Sequence, residues 1–216
     1  MSAGLVSSSW LALRKRWLLY HLGLPEFAFV LDPPPPGEWV SLDCETTGLK
    51  VGTDEIVSIG AVRIVGDRIL ASEKFEVLVR PEGKVSAQSI RIHRLREKDV
   101  ADGLPVDEAV KRLLYFIGSR PLVGYYLEFD VAMLDRVVFP MLGWGLPQAQ
   151  IEVSALYHSY KMRQLNALQR QSPDIDLRLV TLMNDLGLPL REAHDPVNDA
   201  VMAGLAFIKL RHLLSA

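Results

Sequence analysis

Beyond residue 38, the spacing of apolar positions first predicts strands. Three runs that are apolar or rich in β-branched residues lie at residues 39–43, 56–65 and 69–79. The pair Gly66-Asp67 between the last two runs is typical of a hairpin turn, so these runs are expected to form a hairpin. A further short apolar run at residues 121–124 predicts another buried strand.

In the second half of the chain, apolar positions recur at the three- and four-residue spacing of helices. Such segments lie at residues 106–117, 131–142, 154–163, 177–186 and 196–214. Pro140 falls in the last turn of the second segment and is expected to distort it. Consecutive strands followed by alternating strands and helices predict an α/β fold, in which helices flank both faces of a mixed sheet.

The first 37 residues follow a different pattern, with aromatic and apolar residues at helical spacing: Trp10, Leu13, Trp17 and His21. The four prolines at 33–36 can join neither a helix nor an interior strand. The expected division is a helical extension with a Pro-rich linker, 1–37, and a main domain, 38–216. The extension is expected to dock on that domain or, through residues 8–24, on a polymerase or other partner; contact with a membrane surface is the alternative.

No stable membrane insertion is expected. The N-terminal apolar run is broken by His21, Gly23 and Pro25, and a membrane span needs about 20 apolar residues. No small-residue cleavage site follows, so the run is not typical of a signal peptide. The single cysteine, Cys44, excludes an internal disulfide framework and a zinc site built from several thiolates. Together these features predict a cytoplasmic location.

The charge balance limits the kinds of nucleic-acid partner that the chain can have. Its formal net charge is −2, from 24 lysines and arginines against 26 aspartates and glutamates. This argues against a protein that coats nucleic acid through a strongly basic surface. An enzyme that meets phosphate through bound metal ions remains compatible with the same balance.

Two carboxylates stand at the end of the first predicted strand. Side chains on a strand alternate between faces, so Asp43 and Glu45 point to one side and Cys44 to the other. Adjacent carboxylates repel each other, and either a raised pKa or a bound cation must relieve the repulsion. Oxygen ligands of this kind suit Mg²⁺ or Mn²⁺, although acids at a strand end also commonly form a solvated rim.

Two later segments carry chemistry of the same kind. Asp130 opens a helix after the last predicted strand, where an acid also complements the helix dipole. Asp195 and Pro196 are typical of an N-cap and a first helical residue. His194 is therefore expected on the incoming loop and Asp199 one turn inside the helix. The two can face one point, which suits a general base beside a metal ligand; a capped helix with an exposed histidine is the alternative.

In combination, these segments resemble the DEDDh 3′–5′ exonucleases of the DnaQ-like family, which includes the proofreading epsilon subunit of DNA polymerase III. The resemblance rests on residues 43–49, on Phe129-Asp130, and on His194 with Asp199 five positions later. Further similar segments are 58–62, Ile92-His93 and Asp99-Val100. The similarity extends from about residue 39 to about residue 210.

The resemblance implies a ribonuclease H-like fold with a five-stranded mixed sheet. It implies that four acids hold two Mg²⁺ or Mn²⁺ ions, namely Asp43, Glu45, Asp130 and Asp199, and that His194 deprotonates the attacking water. The implied substrate contacts are Thr46, Thr47, Gly48, Leu49, His93 and Phe129. The implied reaction is hydrolysis at unpaired 3′ ends of DNA or RNA, with release of nucleoside 5′-monophosphates, in proofreading or repair.

Two departures from the family's pattern leave substrate detail open. Where the family commonly has Asn, often preceded by His, this chain has Tyr126 preceded by Tyr125. The tyrosines are expected either to stack on unpaired bases, which makes Tyr126 a candidate substrate contact, or to pack beneath the site. Where the family usually has Asp-Thr, this chain has Glu152-Val153. Neither departure removes a candidate metal ligand or the candidate base.

An alternative of another class is a non-catalytic module that binds nucleic-acid ends, or associates with a replicase, and is tethered through the N-terminal helix. The chain retains all four acids and the histidine. A pure binder would gain nothing from negative charge clustered near phosphate, because like charges repel. The enzyme is therefore the favoured interpretation.

Overall fold

The computed structural model describes residues 13, 15–166, 169–171, 173–192 and 194–215. Its strands are β1 (Glu38–Thr46), β2 (Ile56–Val65), β3 (Arg68–Leu78), β4 (Leu122–Gly124) and β5 (Gln150–Glu152). They form one sheet in the order β3-β2-β1-β4-β5. The first three strands pair antiparallel, whereas β4 runs parallel to β1 and β5 parallel to β4. The predicted five-stranded mixed sheet is confirmed.

The described helices are α1 (Ala87–His93), α2 (Glu97–Val100), α3 (Val106–Ile117), α4 (Leu127–Leu142), α5 (Val153–Gln164), α6 (Leu179–Asp185) and α7 (Pro196–Ser215). Short 3₁₀ turns lie at Pro25–Leu31 and Gln169–Gln171. Two apolar clusters cover the sheet. One joins β1 and β2 to α3 and α4, and the other joins the sheet to α5, α6 and α7. Helices therefore flank both faces, as predicted.

The alternation of β1 between these two clusters places the acids. Val40, Leu42 and Cys44 belong to the cluster that contains α3 and α4. The residues between them point to the other face, so Asp43 and Glu45 lie on the side that carries α7. Cys44 is 8% exposed and packs in the core, which confirms its expected orientation away from the two carboxylates.

The structure differs from the elements that the apolar pattern predicts at the start of α4 and at β5. The helix α4 begins at Leu127 rather than at residue 131, because its first turn carries Glu128 and Asp130 and so breaks the apolar spacing. It continues past Pro140 to Leu142. The three-residue strand β5 has a polar residue at each end, which explains why no apolar run predicts it.

Part of the N-terminal extension packs on the main domain. Residues 15–20 are helical, and Trp10, the first residue of the predicted helix pattern, lies outside the described residues. Phe27 and Val30 are buried in the cluster that contains α3 and α4, and the Gly23 amide donates to the Leu142 carbonyl at 3.2 Å. Leu13, Trp17 and Tyr20 remain exposed. Among the described residues, no helix is long and apolar enough to cross a bilayer.

A close approach between β2 and the start of α7 fixes the height of that helix over the sheet. Gly60 on β2 pairs with Asp43 on β1. A Cβ at Gly60 would overlap the Pro196 carbonyl carbon and the Val197 nitrogen in the first turn of α7. Only glycine permits this contact, which carries Asp199 toward the end of β1.

Gly60→Ala is therefore expected to push α7 away from the sheet. The free energy of unfolding should fall by about 1–3 kcal/mol because of overpacking. Gly52→Ala is the matched control, since a Cβ there meets nothing within 4 Å. Urea denaturation measures both, and equal effects of the two substitutions would contradict the contact.

Candidate active site

Four segments that are distant in sequence enclose one cavity of about 960 Å³. They are the end of β1, the junction between β4 and α4, the start of α6, and the loop that leads into α7. The lining residues from motif-bearing segments include Asp43, Glu45, Thr46, Leu49, Tyr126, Phe129, Asp130, His194 and Asp199. All four predicted metal ligands and the predicted base therefore face one cavity.

The carboxylates of β1 are strongly perturbed by their surroundings. Burial raises the pKa of Asp43 well above its usual range, and the charges of Asp130, Asp199 and Glu45 add to the shift. The pKa of Glu45 rises to about 7, first through burial and then through repulsion from Asp199 and Asp195. Desolvation and like charge both disfavour the ionised form, so Glu45 is partly protonated near neutral pH when no cation is bound.

Asp130 is tied to β1 by a backbone hydrogen bond. It lies in the first turn of α4, is 4% exposed, and accepts from the Cys44 amide at 3.0 Å. Burial raises its pKa to about 8, although that hydrogen bond acts in the opposite direction. The same bond fixes the start of α4 against the strand that carries Asp43 and Glu45.

The start of α7 has the predicted cap. Asp195 accepts from the Asn198 amide at 2.8 Å, and Pro196 is the first helical residue. His194 precedes the cap with a φ of 64°, and its amide donates to Asp199 Oδ2 at 2.9 Å. Burial raises the pKa of Asp199, and Asp195 adds to the shift, while the bond from His194 opposes it.

The donor set fits a divalent cation. Ligand atoms of Glu45, His194 and Asp199 all lie within 4.8 Å of one another. Asp199 Oδ1 is buried and has no hydrogen-bond partner among the described residues, so one oxygen is left to meet a ligand. Asp43 and Asp130 lie outside this group of three but line the same cavity. Clustered carboxylate oxygens of this kind are hard ligands, which Mg²⁺ and Mn²⁺ prefer.

The predicted substrate contacts separate into two groups. Thr46, Leu49, Tyr126 and Phe129 line the cavity, and Leu49 is 80% exposed. Thr47, Gly48 and His93 lie off its lining. Thr47 braces the turn instead, because its hydroxyl accepts from the Glu55 amide at 3.0 Å and its carbonyl accepts from Ser89 Oγ at 2.6 Å.

His93 is buried behind this turn and close to His194. Its Nδ1 accepts from the Leu95 amide at 3.1 Å, which leaves the proton of a neutral ring on Nε2. That nitrogen has no hydrogen bond of good geometry among the described residues. Burial lowers the pKa of His93 and so does His194, although the nearby Thr46 carbonyl acts in the opposite direction.

Glu152 explains one of the departures from the family's pattern. Its carboxylate accepts from the amides of Tyr126 at 3.0 Å and Leu127 at 2.8 Å. It also accepts from the amide of Ser154 at 2.9 Å and from its hydroxyl at 2.7 Å. A carboxylate at this position thus joins β5 to the start of α4 and holds Tyr126 in its left-handed conformation, with a φ of 55°.

The two tyrosines have different environments. The Tyr125 hydroxyl donates to the Leu177 carbonyl at 2.8 Å, so Tyr125 ties the cavity wall to the segment before α6. Tyr126 is 50% exposed, and its ring centroid lies 4.5 Å from that of Tyr125. Both line the cavity, and Tyr126 presents the more exposed aromatic surface.

Part of the lining carries no recognisable sequence signal. It consists of Arg178, Leu179, Val180, Thr181, Leu190, Arg191 and Met202. Except for Met202, these residues lie around the short helix α6 and in the loop before α7, where no motif marks them. Only their proximity in sequence to His194 could have indicated Leu190 and Arg191.

Comparison with known proteins agrees with this geometry. The family model RNase_T, described as Exonuclease, matches residues 40–207. A DNA polymerase III subunit epsilon-like protein of Rhodobacter capsulatus is 32% identical over 189 residues, which cover 82% of this chain. The chain spans only 24% of that relative's length.

Two solved structures share the fold. Exonuclease X in complex with 5′ overhanging duplex DNA has a TM-score of 0.61 at 22% identity, over 82% of this chain and 93% of that one. E. coli exonuclease I in complex with a dT13 oligonucleotide has a TM-score of 0.64 at 17% identity, over 81% and 40% of the two chains. With a family match across most of the main domain, and with the motif residues gathered in one cavity, the chain belongs to the RNase_T exonuclease family and has its ribonuclease H-like fold.

Proposed function

We propose that the protein is a two-metal-ion 3′–5′ exonuclease, which hydrolyses phosphodiester bonds at unpaired 3′ ends and releases nucleoside 5′-monophosphates. One observation carries the proposal: the four acids come from three separate elements and, with His194 on the loop before α7, face the same cavity. The DNA complexes of the two structural neighbours favour DNA as substrate, and RNA is the alternative. Proofreading or repair in the cytoplasm would be the setting.

The proposed roles follow from the positions of the side chains. Asp43, Glu45, Asp130 and Asp199 would hold two Mg²⁺ or Mn²⁺ ions, which supply positive charge at the scissile phosphate. His194 is exposed at the cavity and anchored through its amide to Asp199, so its ring can take a proton from water. Imidazole is a suitable base near neutral pH.

The preference for unpaired ends follows from the shape of the wall. Leu49 and Tyr126 project exposed apolar and aromatic surface into the cavity, and Phe129 lies beside them. A base can stack on such a surface only after it leaves a duplex. Behind the lining, Thr47, Gly48 and His93 would support the turn that grips the terminal nucleotide.

The exposed N-terminal side chains support a protein partner, which we propose to be a polymerase subunit. Trp17 and Tyr20 are 58% and 85% exposed. Truncation at residue 37 would be a poor test, because Phe27 and Val30 belong to the core. Trp17→Ser with Tyr20→Ser should instead abolish co-elution with a replicative polymerase subunit, and unchanged co-elution would contradict this proposal.

Asp43→Asn and His194→Gln are expected to remove activity on a single-stranded oligonucleotide. Loss of the base should reduce turnover by at least about 100-fold, which is the lower range for general base catalysis. Loss of the carboxylate should reduce it further, because a metal ligand is lost. Matched controls are Asp102→Asn, in an exposed turn, and His158→Gln, which lies off the cavity lining.

The assay uses oligonucleotides labelled at the 5′ end, so that a ladder shortened from the 3′ end establishes polarity. Chromatography of the products identifies the mononucleotides. Wild-type activity in either variant would contradict the mechanism, and immediate release of the labelled 5′ nucleotide without a ladder would contradict the polarity. Matched DNA and RNA strands compare the two substrates.

Without metal, stability should fall as pH rises. The pKa values of Glu45 and Asp130 rise to about 7 and about 8, from ordinary values of 4.5 and 3.8. Between the ordinary and raised values the folded state binds more protons than the unfolded state, so the free energy of unfolding decreases with pH. The melting temperature in EDTA should therefore drop between pH 5 and pH 8.

Added metal should reverse that drop, by about 2.7 kcal/mol at a hundred times its dissociation constant. Asp130→Asn should flatten the pH dependence in EDTA, because one titrating acid is gone. Differential scanning calorimetry with EDTA or Mn²⁺ at each pH measures both effects. A melting temperature that rises with pH in EDTA, or that does not change when Mn²⁺ is added at pH 8, would contradict the assignment of these acids as metal ligands.

A further inference from the structure

An arginine in the cavity wall has no role in the proposed hydrolysis. Arg178 immediately precedes α6, and its side chain is 83% exposed. It lines the same cavity as the acids but comes from a different element, since the acids belong to β1, α4 and α7. Charge from this wall can therefore reach a part of the substrate other than the scissile phosphate.

The guanidinium is held in a fixed orientation. Asp176 accepts from Arg178 Nε at 3.0 and 2.9 Å and from Nη2 at 2.5 Å. Asp176 also accepts from the Arg178 amide at 3.0 Å and from Thr181 Oγ1 at 2.7 Å. The side-chain bonds occupy the edge of the guanidinium formed by Nε and Nη2. Nη1 has no partner among the residues that the structure describes, so its two N–H groups can donate to an anion.

Stability does not explain the arrangement. An ion pair this exposed contributes little, with typical values of about 0–1 kcal/mol. A planar guanidinium that is oriented in advance loses less freedom when it binds phosphate. The other lining arginine, Arg191, already donates to Asn198 at 3.3 Å and lies on the loop of His194.

The size of the cavity fits a second nucleotide. Its volume of about 960 Å³ lies near the upper end of the range for small-molecule sites, about 300–1,000 Å³. Tyr125 ties the aromatic wall to the segment that carries Arg178, through its bond to the Leu177 carbonyl at 2.8 Å. A base stacked on Tyr126 and a phosphate bound to Arg178 would thus contact two parts of the cavity wall that the Tyr125–Leu177 hydrogen bond joins.

We propose that Arg178, positioned by Asp176, binds the phosphate on the 5′ side of the penultimate nucleotide, one position upstream of the scissile phosphate, so that the site recognises at least two nucleotides of the strand. The inference rests on the proposed function, because the acids define where the terminal phosphodiester lies. The terminal nucleotide lies at the acids, and the strand extends along the wall formed by Tyr126 and Arg178.

Arg178→Gln tests this inference by fluorescence anisotropy, in the His194→Gln background and with Mn²⁺. Competitors are thymidine 5′-monophosphate, the 5′-phosphorylated dithymidine and a thymidine decamer. Affinity for the two longer ligands should fall about tenfold, as expected for one charged hydrogen bond, whereas affinity for the mononucleotide should not change. The slope of log K against log salt for the decamer should shrink by about 0.7.

Arg112→Gln is the matched control. This arginine is also exposed and paired with a carboxylate, since its Nε donates to Glu108 at 2.8 Å, but it does not line the cavity. The substitution Arg112→Gln removes the same charge, and it should leave the affinity for the two longer ligands and the salt slope for the decamer unchanged. In the otherwise wild-type enzyme, Asp176→Asn should raise KM more than it lowers kcat. In the binding experiment, Arg178→Lys should keep most of the salt slope that Arg178→Gln loses.

Each outcome distinguishes this inference from the proposed function. Equal binding by Arg178→Gln and Arg112→Gln would overturn the inference, while 3′ cleavage by the wild type would still stand. An equal loss for the mononucleotide and the longer ligands would also overturn it, because Arg178 would then act at the terminal phosphate. A wild type that does not shorten strands from the 3′ end would overturn the proposed function itself.

Discussion

Mutual repulsion among buried carboxylates is the constraint around which the rest of the structure is arranged. Asp43, Glu45, Asp130 and Asp199 line one cavity, and each has a raised pKa to which burial contributes most. Such a cluster is costly without a cation, because desolvation and like charge both oppose ionisation. The sheet and its helices hold the acids together against this repulsion, and the proposed cations would relieve it.

The scaffold holds the acids together through short-range contacts at the backbone. The Cys44 amide binds Asp130, Gly60 admits the start of α7, and the His194 amide binds Asp199. A fourth contact of this kind comes from Glu152, which links β5 to the start of α4. Because these contacts involve main-chain groups, the geometry depends on the fold more than on flexible side chains, which suits a site that must hold charge in place.

The acids and the histidine of the site could be predicted from the sequence, whereas some elements of the fold and part of the cavity wall could not. Asp43, Glu45, Asp130, His194 and Asp199 could be proposed because each lies near the end of a predicted element and because together they resemble the pattern of one family. The strand β5 and the first three residues of α4, before Asp130, could not be predicted, since polar residues interrupt their apolar spacing. Arg178 could not be predicted for a different reason, because its place in the cavity depends on how α6 packs and no local pattern indicates that packing. The double role of the tyrosines likewise needs the Leu177 carbonyl, 52 residues away.

The central claim is that these acids form a site for two divalent cations, and calorimetric titration with Mn²⁺ tests it most directly. Near pH 7 the raised pKa values of Glu45 and Asp130 leave both acids partly protonated, so binding must release protons. Titrations in buffers of different ionisation enthalpy should give two Mn²⁺ ions per chain and net proton release, both reduced in Asp130→Asn. Absence of binding, or binding that Asp130→Asn leaves unchanged, would contradict the claim.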